Sequence, residues 1–192
     1  MRDWYENWWS ELEPTFERTS EIHIGAKKAP EVVLTALQWI DAAPPWNQGI
    51  IRRASVGGRK SGSKFNGYWA VKVVRDGLYS FEVRRWPVES GLKIREGTPP
   101  HPPEPGTANS YSAPEGRAVP IKSATLRIDG KDLETKLVSE DDAAIQFTRK
   151  LRAGSYKFSP FFTLAEGRGQ GARELGAYYL TVSPVNEASP DE

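Results

Sequence analysis

Residues 67–89, GYWAVKVVRDGLYSFEVRRWPVE, decide the fold of this chain. Trp69, Val71 and Val73 alternate with Ala70, Lys72 and Val74. After Asp76-Gly77, Tyr79, Phe81 and Val83 alternate with Ser80, Glu82 and Arg84. Strand side chains point to opposite faces with period two, so each run offers one apolar face. Asp-Gly between two such runs predicts a β-hairpin, because glycine accepts the positive φ of tight turns. The same register carries Arg85 inward and leaves Arg84 outside. A guanidinium at the edge of a core needs partners, either a carboxylate or main-chain carbonyls.

The rest of the chain is consistent with many short strands. Further strands are expected at 48–53, 121–128, 132–138, 143–149, 154–162 and 176–182, separated by Gly, Pro and Asp turns. Strands at 21–25 and 31–39 form a small pair around the Lys27-Lys28-Ala29-Pro30 turn. Residues 3–13 are the one convincing helix, with Trp4, Tyr5, Trp8, Trp9 and Leu12 on a single stripe and Pro14 as its stop. The expected architecture is all-β: an antiparallel, jelly-roll-like β-sandwich preceded by one helix and a small strand pair. Residues 1–40 hold the helix and strand pair, 41–185 the sandwich, and 186–192 a frayed tail. Residues 98–116, dense in proline, read as a surface excursion.

Composition narrows the function. In 192 residues, 26 basic side chains balance 25 acidic ones, which gives no electrostatic case for nucleic acid or an anionic membrane. No apolar run is long enough to span a membrane, and the N-terminus lacks a signal-peptide pattern. The absence of cysteine removes disulfides and thiolate metal sites. His23 and His101 are the only histidines, one in an expected strand and the other in the Pro-rich loop, which gives little support to a histidine-based metal site or catalytic triad. The acidic run Glu140-Asp141-Asp142 lacks the ligand order of a calcium loop and reads as a charged turn.

Two other constellations suit ligands. The basic, glycine-rich stretch 57–64 suits either an anion or a solvated loop tip. Trp46, Gln48, Arg84 and Trp86 suit a carbohydrate, with indole faces stacking on sugar C–H surfaces and polar groups meeting hydroxyls. Equally, both tryptophans suit the open end of the sandwich. The aromatic stripe of Trp4, Tyr5, Trp8 and Trp9 exceeds the apolar cover available nearby. It predicts either core packing or an interface with a domain outside this sequence.

The stretch at 67–89 resembles the region that follows the catalytic domain in bacterial arylsulfatase-type sulfatases, with the pattern G-x-W-x-V-x-V, G-x-Y-x-F and R-R-W-P. The likeness extends to Trp4-Tyr5-Glu6-Asn7-Trp8-Trp9, Ile22-His23-Ile24-Gly25, Leu34-Thr35, Trp39, Trp46-Asn47-Gln48, Gly116-Arg117-Ala118-Val119-Pro120-Ile121 and Ala177-Tyr178-Tyr179-Leu180, all in family order. Where the family often has Asp-Trp-His, this chain has Gln38, Trp39 and Ile40. Such enzymes use a formylglycine made from the Cys or Ser of a C/S-x-P-x-R motif, beside a calcium ion. Ser112-Ala113-Pro114 has Gly116 where that motif needs arginine, and Ser183-Pro184 has the wrong spacing. The resemblance therefore implies a non-catalytic C-terminal portion that binds no cofactor itself. Its implied partner is a calcium-dependent sulfatase catalytic domain, on an upstream chain or before Met1, in a periplasmic or extracellular setting. Sulfated carbohydrate is a further implied ligand. The alternative is a free-standing carbohydrate-binding module for sulfated glycans.

Overall fold

The computed structural model describes residues 1–16, 18–42, 48–53, 66–103, 105–106, 112–165 and 174–185. Helix α1 (Arg2–Leu12) ends in a 3-10 turn at Glu13–Thr15, where Pro14 halts it. Then follow β1 (Ile22–Ile24), β2 (Val32–Thr35), the short helix α2 (Gln48–Arg53), β3 (Trp69–Val73) and β4 (Gly77–Arg84). The remaining strands are β5 (Ile121–Ile128), β6 (Lys131–Leu137), β7 (Ile145–Leu151), β8 (Gly154–Phe158), β9 (Phe161–Leu164), β10 (Glu174–Gly176) and β11 (Tyr179–Pro184). They form two facing sheets. The seven-stranded one runs β1-β3-β8-β5-β9-β10 with β6 added on β5, and the four-stranded one runs β2-β11-β4-β7. The all-β sandwich expected from the sequence is therefore present.

Its pairings differ from those expected. β3 and β4 do not form a hairpin: β3 pairs with β1 and β8, whereas β4 pairs with β11 and β7. The reason is burial. Trp69, Val71, Val73, Tyr79, Phe81 and Val83 are all withdrawn from solvent, and a lone hairpin lays both apolar faces on the same side of one sheet. Arching from one sheet to the other turns the two faces toward each other across the core. Phe81 of β4 then meets Phe158 of β8 edge to face, with ring centroids 5.3 Å apart. The Asp-Gly hairpin signal is realised elsewhere, at Asp129 (φ 50) and Gly130 (φ 74) between β5 and β6.

The expected pair at 21–39 also divides between the sheets. β1 lies parallel to β3, and β2 lies antiparallel to β11. The β1–β2, β3–β4 and β7–β8 connections are thus all inter-sheet arches, and they are fastened to one another. Val74 N–H donates to the Ile24 carbonyl at 3.1 Å, and Ala153 N–H donates to Asp76 Oδ1 at 2.7 Å. Tyr79 closes the group, donating its hydroxyl to the Arg75 carbonyl at 2.8 Å. Gly25 (φ 79) leaves room for that ring, since a Cβ there would overlap the Tyr79 hydroxyl.

Three smaller corrections follow from local chemistry. Residues 48–53 form a helix and not a strand, which frees Arg52 to donate to the carbonyls of Pro99 (2.6 Å) and Pro114 (2.7 Å). The strand expected at 154–162 breaks into β8 and β9 at Ser159-Pro160, since proline has no N–H for the ladder. That expected at 176–182 begins as β11 at Tyr179, because the chain changes sheets at Ala177 and Tyr178, both buried. The described ends of the Pro-rich excursion zip together through paired backbone bonds between His101 and Ala113.

Gly25→Ala should cost roughly 2–4 kcal/mol, combining a strained backbone with a forced overlap. Tyr79→Phe should cost about 1 kcal/mol for its lost hydrogen bond. The double variant should lose less than the sum, because removing the hydroxyl makes space for the new methyl. Urea midpoints at constant slope measure all three.

Candidate functional site

β4 carries its inward alternation one step past its end, as the sequence register predicts. Arg85 is fully buried, and among the described residues its charge is met by main-chain carbonyls and by no carboxylate. Its Nη1 donates to the carbonyls of Ile94 (3.3 Å) and Glu96 (2.9 Å), and its Nη2 donates to that of Arg117 (2.7 Å). The guanidinium carbon lies 4.3 Å from the centroid of the Trp86 ring, whose Nε1 donates to Glu96 O at 3.0 Å. Desolvation pushes the Arg85 pKa down to about 10, with the nearby Tyr178 raising it and Arg117 lowering it. Arg85 is therefore still a cation at neutral pH. Burial pushes the Tyr178 hydroxyl up to about 12, against the pull of Arg85.

This arrangement gives the places of two of the four residues suited to carbohydrate, Trp86 and Arg84. Trp86 is 4% exposed and has the Arg85 guanidinium over its ring, so it presents no open face for a sugar. Arg84 lies on the outer face of the four-stranded sheet, where Nε is paired with Glu82 Oε1 and Nη1 donates to the Ala143 carbonyl at 3.3 Å. Trp46 and the side chain of Gln48 lie outside the described residues. What surrounds Arg84 was not legible in the sequence: Tyr179 is its partner across β11, and in the next row Thr181, Glu82 and Gln146 stand in register. Gln146 Nε2 donates to Glu82 Oε2 at 3.4 Å.

The helix behaves differently. None of its eleven residues is buried, and Trp4, Tyr5, Trp8 and Trp9 are 69%, 48%, 43% and 39% exposed. Positions four apart share a helix face, and the rings use that spacing to cover one another. Trp4 stacks on Trp8 at 6.2 Å, Tyr5 on Trp9 at 6.3 Å, and Phe16 meets Trp9 edge-on at 5.3 Å. The stripe forms a continuous apolar surface facing solvent. Packing into the core of this chain, the other outcome open from sequence, does not occur.

Among the described residues, no group of three or more His, Cys, Asp or Glu side chains could hold a metal ion. Glu140-Asp141-Asp142 forms a turn in which Asp141 pairs with Lys93 and Asp142 accepts the Ser139 N–H. The basic stretch at 57–64 lies outside the described residues.

No family model matches the chain, and no curated protein matches it. Among solved structures it is similar to a ruminal GH26 endo-beta-1,4-mannanase (16% identity, TM-score 0.38, 80% of this chain and 26% of that one). It is also similar to a Podospora anserina GH26-CBM35 beta-(1,4)-mannanase (11% identity, TM-score 0.39, 84% and 29%). A family 35 carbohydrate-binding module from Clostridium thermocellum matches at 13% identity and TM-score 0.38, over 82% of this chain and all of that one. The chain thus spans under a third of either mannanase. Likenesses this distant carry no argument about function.

Arg85→Met should destabilise the protein by about 3 kcal/mol, since it removes the charge-assisted hydrogen bonds to the carbonyls of Ile94, Glu96 and Arg117, of which Glu96 keeps only the Trp86 N–H. Arg85→Lys should recover only part of that, because one ammonium on a flexible stem does not span three acceptors as a planar fork does. Thermal or urea unfolding reads both.

Proposed function

We propose that this chain is the non-catalytic C-terminal part of an arylsulfatase-like sulfatase, an accessory β-sandwich docked on the catalytic domain through α1. The observation that carries this reading is the solvent-facing stripe of Trp4, Tyr5, Trp8 and Trp9. Aromatic anchors of this kind dominate interfaces once water is excluded from around them. The order of the sulfatase-like motifs along the sequence supports the choice of partner. In this scheme the catalytic domain supplies formylglycine and calcium. This chain supplies an apolar docking face and a rigid wall beside the entry for a sulfated carbohydrate, in the periplasm or outside the cell.

The test is co-expression with a polypeptide bearing a C/S-x-P-x-R sulfatase domain, encoded upstream. The two should co-purify, and Trp4→Ala with Trp8→Ala should abolish association while changing this chain's own stability by no more than about 0.5 kcal/mol. Turnover of an aryl sulfate by the purified chain alone, or association that survives the double variant, would overturn the reading.

A second reading, a free-standing module for sulfated glycans, is favoured by the polar rows around Arg84 and Tyr179 on the outer sheet face. In calorimetric titration with a sulfated polysaccharide, that reading expects binding that weakens with Arg84→Ala and fades with added salt. Docking alone expects no heat.

A further inference from the structure

On the outer face of the seven-stranded sheet lies a groove of about 250 Å³, bordered by Tyr68, Tyr156, Glu21, Asp129, Ser155 and Lys157, with Ala70 also lining it. Four stretches distant in sequence build it: the approach to β1, the start of β3, the β5–β6 turn and the middle of β8. We infer that this groove binds a single neutral sugar unit of a glycan.

The walls are fixed before any ligand arrives. Asp129 is clamped from both sides by the backbone of Lys157: its N–H donates to the Lys157 carbonyl at 2.9 Å, and its Oδ1 accepts the Lys157 N–H at 2.8 Å. Tyr68 is held by reciprocal backbone bonds with Ile40 at 2.9 and 3.1 Å. The Lys157 ammonium rests 4.8 Å from the Tyr68 ring centroid. Preorganisation of this kind reduces the ordering cost of binding.

Size and charge select the ligand. The volume lies below the roughly 300–1,000 Å³ of drug-sized sites, which suits one sugar ring. Two carboxylates, Glu21 and Asp129, stand against one ammonium, Lys157, so an anion meets net negative charge. A neutral pyranose avoids that penalty. Its hydroxyls donate to the carboxylates and accept from Lys157 and Ser155, while its C–H face packs on Tyr68 and the Ala70 methyl. The groove is distinct from α1 and does not depend on the docking reading. It also predicts the opposite charge preference to a sulfated-glycan module.

Saturation-transfer NMR with the methyl glycosides of glucose, galactose, mannose and xylose, a 6-sulfated galactoside and a glucosaminide tests it directly. At least one neutral glycoside should bind, and Tyr68→Ala and Asp129→Asn should each weaken it by roughly tenfold, the loss of one stacked ring or one charge-assisted hydrogen bond. Asparagine tolerates the positive φ at 129, so the turn should survive. Trp8→Ala should leave glycoside binding unchanged, which separates this site from the docking face. Absence of any neutral binder, binding indifferent to both groove variants, or preference for the sulfated or aminated sugar would each overturn the inference.

Discussion

The architecture depends on one constraint: the apolar faces of β3 and β4 must meet each other across a core. Side by side in a single sheet they would form one broad greasy surface. Folded over, Trp69, Val71 and Val73 oppose Tyr79, Phe81 and Val83, and each covers the other. That choice forces an arch at Val74–Asp76 and places β3 and β4 in different sheets. Once the arch exists, β7–β8 follows beside it, because Asp76 offers its carboxylate to Ala153 N–H. The β1–β2 turn follows on the other side, where Gly25 makes room for Tyr79.

Alternation along the strands was legible in the sequence, and so was the inward Arg85, because period two is a property of the strand itself. Pairing was not. Asp76-Gly77 and Asp129-Gly130 look alike as dipeptides, yet only the second is a hairpin turn. The difference lies in the flanks: β6 has no fully buried residue, so a strand laid flat on β5 suffices, whereas both strands around Asp76-Gly77 demand complete cover. The same two-sided demand moved β1 and β2 apart.

Of the surfaces, the aromatic helix could be read because its excess of rings over cover is local and countable. Trp86 could not. Its role is set by Arg85 folding over its ring and by Glu96 accepting its N–H, and neither contact has a signature in the Arg-Arg-Trp-Pro sequence. The groove at Tyr68 and Asp129 is assembled from four separate stretches and has no sequence motif at all. Local patterns announce faces; sites that depend on chain crossings stay hidden until the crossings are known.

Arg85 has a further consequence for the Pro-rich excursion. By accepting Arg85's donors at Glu96 and Arg117, the chain pins the two feet of that excursion to the core. The ladder between His101 and Ala113 closes it again higher up. Closure entropy grows only logarithmically with loop length, at about 0.6 kcal/mol per doubling. With its feet held by the core and not by its own composition, the excursion is a place where chain can be lengthened, shortened or replaced by a whole module at small energetic cost. The sandwich thus carries a built-in port for evolutionary or engineered insertion, and the buried guanidinium is what makes the port independent of whatever is plugged into it.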